Sequence, residues 1–336
     1  MKFLMAIIFL LVVLFSCSPS GTKQSLENKF EVRELDLPVD TTVQSIEYLN
    51  GHLLLLQENG KLAVLDSEYK REPEIEKKLS TIKTDWLFKY HDTVFAGNKD
   101  HYYYLNSAVD AIPYKSKRRT YGDVFLEDSN YLVYGCCVGE FGGAIFFMDK
   151  KADRTYSYFA TCPSQVLRFG EQYVVCNNLA HMSSHMSFLF VKDPRKLYEI
   201  TDEKLKNHCN WYMTVDSLKE YWLKSNVGDV RVYDDFEVMS LVTFPYRDSL
   251  YSVLAKPDAT VLSVHRGDTM ITVDTLLKDR IAFHHVQIID AANKKVSLYQ
   301  LSGGSPFAAY QTRGNHTGLI VVEGNRIDFL EPRLPR

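Results

Sequence analysis

Beyond residue 30 the chain is a succession of short apolar or alternating runs divided by turn residues, with almost no stretch of sustained helical period. Alternation over about four to eight residues between turn signals marks strands, so the pattern predicts an all-β chain. One unit recurs: an apolar strand, a turn, a second strand rich in β-branched and aromatic residues, a polar loop, and a third strand running into Asp or Asn. That third strand is read at Leu62 to Asp66, Tyr102 to Asn106, Ile145 to Asp149, Phe188 to Val191, Val230 to Asp234, Val286 to Asp290 and Arg326 to Leu330. The spacing is about 40 to 44 residues, with one wider step near 56, and a period of this size is the signature of propeller blades. A single small sheet cannot bury both faces, whereas a ring of sheets stacks each on its neighbours.

The same register sets innermost strands near Val43 to Tyr48, Trp86 to Tyr90, Asp123 to Leu126, Ser164 to Phe169, Trp211 to Val215, Tyr251 to Lys256 and Phe307 to Gln311. Second strands follow at Leu53 to Gln57, Val94 to Gly97, Tyr131 to Cys136, Tyr173 to Cys176, Glu220 to Lys224, Thr260 to Val264 and Leu319 to Val322. The expected fold is therefore an all-β propeller of seven blades, with six or eight also compatible and a β-sandwich or two-domain all-β chain as the alternative. In this register the chain ends on a third strand, and the alternating segment Glu31 to Leu37 is free to supply the outer strand that closes the ring. The propeller domain is thus expected to span 30–336.

The amino terminus has a different character. Lys2 precedes an unbroken apolar run from Phe3 to Phe15, followed by Ser16-Cys17 and then Ser18, Pro19, Ser20, Gly21 and Thr22. This reads as an export signal over 1–16, and the run is shorter than the roughly 20 residues that a membrane-spanning helix needs. Residues 17–29 form a flexible tether.

Composition narrows the partners. The formal net charge is −3 and aromatic residues are abundant (21 Tyr, 19 Phe, 3 Trp), so nucleic acid is not an expected partner. The basic run Lys115 to Arg119 lies between Tyr114 and Tyr121. It could grip an anionic glycan or phosphate, but reads better as a solvated loop. Apart from Cys17 there are five cysteines, Cys136, Cys137, Cys162, Cys176 and Cys209. A bridge such as Cys176 to Cys209 or Cys137 to Cys162 fits an oxidising compartment. The spacing marks no disulfide framework, however, and buried free thiols are the expectation.

In a propeller the loops between second and third strands, together with the blade-to-blade connections, meet on one face, which is the default binding surface. The residues set there are Glu58, Asn98, Asp100, Glu140, Asn177, Asn178, His181, His185, His208, Asn226 and Asp229, and the segment His265 to Phe283 reads as the longest loop, an insertion over that face. His181 and His185 could share a metal on a helical turn with His208 as a third ligand. No Glu follows His181, so the metalloprotease pattern is missing, and the histidines read as polar loop residues. Asp85, Asp123, Glu140 and Asp229 bring carboxylates to the same face, but no spacing marks an acid and base pair. Sialidase boxes and the nucleophile-elbow, phosphate-loop and dinucleotide motifs are missing too. No catalytic residue, metal or cofactor is expected. The favoured function is a non-catalytic binding or scaffold module for a glycan, peptide or protein, with a carbohydrate-active or metal-dependent hydrolase as the alternative.

Two resemblances add to this reading. Leu14-Phe15-Ser16-Cys17 resembles the bacterial lipobox, in the looser Bacteroidetes form that tolerates a bulky Phe15. It implies acylation of Cys17 and attachment to the outer membrane through lipid, on the periplasmic side or at the cell surface. A lipobox followed by one all-β domain with Lys256-Pro257-Asp258-Ala259-Thr260-Val261-Leu262-Ser263-Val264 resembles the TolB-like propeller lipoproteins of Bacteroidetes in its architecture and in that single turn, where Ala259 replaces the usual Gly. The family implies a propeller, usually six-bladed, and no assigned chemistry. Asp followed by Ser or Thr, as at Asp40-Thr41, Asp92-Thr93, Asp216-Ser217, Asp248-Ser249, Asp268-Thr269 and Asp274-Thr275, is similar to the O-glycosylation acceptor of exported Bacteroidetes proteins. Turn chemistry explains it equally well.

Overall fold

The computed structural model describes residues 30–114, 123–137, 143–179, 184–201, 230–279, 281, 285–300 and 317–332. The signal segment, Cys17 and the tether lie outside them. Strand β1 (Glu31–Asp36) precedes a first sheet of β2 (Val43–Leu49), β3 (His52–Gln57) and β4 (Leu62–Leu65). The second sheet holds β5 (Trp86–Tyr90), β6 (Thr93–Gly97), β7 (Tyr102–Leu105) and β8 (Ala111–Pro113). The third holds β9 (Asp123–Glu127), β10 (Tyr131–Cys137), β11 (Gly143–Asp149) and β12 (Arg154–Phe159), with β16 (Tyr198–Ile200) added beyond β12. The fourth is β13 (Pro163–Phe169), β14 (Gln172–Leu179), β15 (His185–Val191) and β17 (Val230–Phe236). The fifth is β18 (Met239–Tyr246), β19 (Ser249–Ala255), β20 (Thr260–Arg266) and β21 (Thr269–Leu277). The sixth is β22 (His285–Ala291), β23 (Lys294–Gln300), β24 (Thr317–Glu323) and β25 (Arg326–Glu331), with β1 beyond β25. These six sheets are the blades of a β-propeller.

The near-continuous apolar runs follow from burial on both faces. Successive side chains of a strand point to opposite faces, so Leu53 and Leu55 join a core with Leu298, Val321 and Leu330 of the sixth blade. Leu54 and Leu56 instead join Leu87, Val94 and Ala96 of the second blade. In the same way Tyr173 and Val175 pack towards the third blade, and Val174 and Cys176 pack towards the fifth. Each such Leu or Val stabilises the ring by about 1.5–3 kcal/mol.

The first blade has three strands and a substitute for its fourth. Arg71 makes an isolated bridge with Leu65, and helix α1 (Pro73–Leu79) follows. Its Glu76 accepts the Val64 N–H at 3.0 Å and two Arg71 donors at 2.6 Å each. The open edge of β4 is thereby covered, as an unpaired edge must be. No helix among the described residues is long and apolar enough to cross a membrane.

The expected count of seven blades is corrected to six. Through the fourth blade the innermost and second strands fall where the sequence set them; after Val191 the frame slips by one strand. Val230 to Asp234 is in β17, the outermost strand of the fourth blade, where it pairs with β15. Tyr251 to Lys256 is largely a second strand and Thr260 to Val264 a third, because the innermost strand of the fifth blade is the unrecognised β18. Val286 to Asp290 is in β22 and is innermost. The supposed long loop His265 to Phe283 contains β21, paired with β20 around a Gly267-Asp268 turn. Its side chains are mostly exposed, Ile271 at 48%, so no core enforces an apolar period. The segments assigned at Trp211 to Val215, Glu220 to Lys224 and Phe307 to Gln311 lie outside the described residues.

The last blade likewise ends on a fourth strand, β25, and not on a third. Strand β1 adds to it as a fifth, in parallel, from Glu31 opposite Arg326 to Asp36 opposite Glu331. Arg33 grips the buried Asp328 of β25 through Nε and Nη2, each at 2.7 Å. Arg326 Nε lies 3.2 Å from the same carboxylate. Tyr69, beyond the end of β4, donates its O–H to Asp328 at 3.2 Å, and burial beside that carboxylate raises its phenol well above the ordinary range. One acid thus ties β1, β25 and the first blade together.

The expectation of free thiols is also corrected. Cys137 and Cys162 form a disulfide and Cys136 is disulfide-bonded as well. Alternation along β10 sends Cys136 into a core with Leu132 and Tyr134, and Cys137 to the other face of the blade. Cys176 is free and buried, its thiol pushed up to about 12 by desolvation. Cys209 lies outside the described residues.

Candidate functional face

The two ends of the ring differ in construction. Five of the six first-to-second-strand connections are two-residue turns, at Asn50-Gly51, His91-Asp92, Gly170-Glu171, Arg247-Asp248 and Ala292-Asn293, and the same end carries the third-to-fourth-strand connections, of which the one from β15 to β17 (192–229) is the longest. The first residues of these two-residue turns take positive φ, from 49° at Asn50 to 61° at Gly170, as the tight hairpin turns matched to strand twist require. The opposite end carries the second-to-third-strand loops and the blade-to-blade connections, and backbone bonds knit the two sets together. Glu58 N–H donates to Thr42 O, Asp85 to Gly97, Asn178 to Cys162 and Glu237 to Ser184, at 2.7–3.0 Å. The Cys137–Cys162 disulfide also lies here, fastening the end of β10 to the connection between the third and fourth blades.

The sequence-selected residues divide into four groups. Glu58 and Asp100 are exposed on turns at this end. Asn98 is here too, but its Oδ1 accepts the N–H groups of Asp100 and His101 while Nδ2 donates to Lys83 O, so it shapes the turn. Asn177 and Asn178 fold inwards. Asn177 is 1% exposed and donates to Ser187 Oγ at 3.1 Å. Asn178 bridges to the fifth blade, accepting Ser240 N–H and donating to Ser240 O, both at 2.8 Å, and donating to Ser164 Oγ at 2.7 Å. His185 sits at the start of β15 with Nε2 3.2 Å from Asp234 and its ring 4.9 Å from that of Phe236. Glu140, His181, His208, Asn226 and Asp229 lie outside the described residues. Among those described, no group of three His, Cys, Asp or Glu is arranged to hold a metal. Substituting Asn178 by alanine strands both backbone groups of Ser240 in the junction. The expected loss is about 1–3 kcal/mol, read by urea unfolding; a change below about 0.5 kcal/mol would count against the bridge.

Sequence reading missed the side chains that lock neighbouring blades. Gln287 on β22 takes both the N–H and the C=O of Ile46 on β2, at 2.9 and 2.8 Å. Gln165 on β13 does the same to Thr243 on β18, at 2.9 and 2.8 Å. Ser45 donates to Leu87 O, Ser297 to Leu241 O, and Glu47 accepts the Lys89 N–H at 2.8 Å. For Gln165 and Gln287 the available signal was a Gln two residues into an innermost strand and followed by apolar residues, whereas Glu47 shares its strand with Gln44 and Ser45 and stands out in no way. These bonds tie each innermost strand to its neighbour and so set where the blade connections start.

This architecture defines the class, a six-bladed β-propeller. Among solved structures the chain is similar to BamB from Moraxella catarrhalis, at 8% identity over 77% of this chain and 82% of that one, with a TM-score of 0.39. It is also similar to PorZ, a surface component of the type-IX secretion system of Porphyromonas gingivalis, at 11% identity and a TM-score of 0.30. That match covers 83% of this chain and 41% of PorZ. YCF48 from Cyanidioschyzon merolae matches at 10% identity over 78% and 94% of the two chains, with a TM-score of 0.36. No family model matches the sequence, and no curated protein matches it.

Proposed function

We propose that the chain is an exported lipoprotein, cleaved after residue 16 and acylated at Cys17, whose ring is a non-catalytic binding or scaffold module. Its partner is a glycan, peptide or protein met at the outer membrane, on the periplasmic side or at the cell surface. The observation that carries the reading is the construction of one end of the ring, where exposed Glu58 and Asp100 stand on second-to-third-strand loops and backbone bonds and the Cys137–Cys162 disulfide knit this end to the blade connections. Strand β1 starts beside Asn325, at the opposite end of the ring. A tether reaching Phe30 therefore leaves from the end opposite Glu58 and Asp100, which turns that face away from the anchoring surface. In this reading β1 closes the ring, clasped by Arg33 and Asp328. The disulfides are consistent with an oxidising compartment.

Photo-reactive residues at positions 58 and 100, compared with 91 and 248, test the face in membranes of the native host. Adducts are expected from the first pair; equal yields from both ends would sink the assignment. Cys17→Ser is expected to move the protein from the membrane to the soluble fraction, and unchanged partition would overturn the anchor.

A further inference from the structure

On an innermost strand, alternate residues turn both N–H and C=O away from the second strand. Ile46, Thr243 and Lys89 are such residues, paired with Leu55, Ser252 and Val94. At Ile46 and Thr243 a glutamine amide from the preceding blade satisfies both groups. At Lys89 the same place is taken by Glu47, 5% exposed, whose Oε1 accepts the N–H. An amide has a donor for the carbonyl; a carboxylate has none.

We infer that Glu47 is held in the folded ring as a neutral acid whose O–H is donated to the Lys89 carbonyl, a proton-held latch between the first and second blades. Ionisation would set a buried carboxylate oxygen against a carbonyl oxygen, with neither able to donate. Burial pushes the Glu47 carboxyl up to about 7, outweighing the opposing pull of the Lys89 N–H and charge and of the Tyr48 N–H. β2 packs on β3, β5, β6, β22, β23 and β24. Their described charged side chains are His52, Lys89, Asp290, Lys294, Lys295 and Glu323, of which Lys89 is the one that acts on Glu47.

The sign is opposite to that of an ordinary paired carboxylate. With a folded-state value above the unfolded one, the native ring binds more protons than the unfolded chain between about pH 4.5 and 7. Its stability from this group is present in acid and is lost as pH rises through about 7. Glu47→Gln supplies a permanent donor of the same shape. In urea unfolding of the full mature chain, the folding constant of the wild type relative to Glu47→Gln is expected to fall by about 70-fold between about pH 5 and pH 8. A constant or rising ratio would overturn the latch. Should the variant not fold, the wild type with carboxyl-labelled glutamate decides by NMR: one carboxyl titrating near neutrality supports the proposal, and all glutamates titrating in the ordinary acidic range overturn it.

Discussion

Replacing Asp328 by alanine is expected to lower the unfolding free energy by about 3–5 kcal/mol, the cost of breaking a buried ion pair from one side. Arg33 and Arg326 lose their shared carboxylate and the buried Tyr69 hydroxyl loses its acceptor. Arg33→Met should cost less, about 1–2 kcal/mol, because Asp328 keeps Arg326 and Tyr69, and Arg33 is already 37% exposed. The order of the two losses in urea unfolding is the diagnostic. If both variants lie within about 0.5 kcal/mol of wild type, β1 is not clasped by this carboxylate.

The second large effect concerns the bridge between the third and fourth blades. Cys137 and Cys162 are 25 residues apart, and closing a loop of that length in the unfolded chain stabilises the native state by about 3 kcal/mol. The double variant Cys137→Ser with Cys162→Ser should lose that amount. Reductant should lower the wild type at least as far, since Cys136 is also disulfide-bonded. Cys176→Ser should leave the reductant response unchanged, its thiol being free and fully buried. A wild type indifferent to reductant would show that the bridge does not form in solution.

How much of this was legible in the sequence depends on which strands face a core. Blades one to four were readable because their inner strands have apolar residues on both faces, as in Leu53 to Leu56 and Tyr173 to Cys176, and tight turns separate them. The frame was lost where the signal is weak. β21 is an outermost strand wetted on most of its length, and β18 ends in Phe244-Pro245-Tyr246, where Pro argues against an interior strand. Missing both turned six blades into seven. The candidate face was legible as a location, since loop positions follow from strand order, but not as chemistry. Asn177 and Asn178 are polar residues at the end of a strand in either case; only the neighbouring blade shows that they serve the junction. Glu47 carried no mark in sequence, because its meaning comes from Gln165 and Gln287 at other junctions.

Strand β1 has a mechanical meaning as well as a topological one. It runs parallel to β25 over six paired positions, beginning at the end of the ring that carries Asn325. A force drawn on the amino terminus acts along the strand axis, so the whole ladder and the Arg33 fork are loaded together in shear, and do not peel one bond at a time. Tension applied there would reach the sixth blade first and be shared through Asp328 with the first.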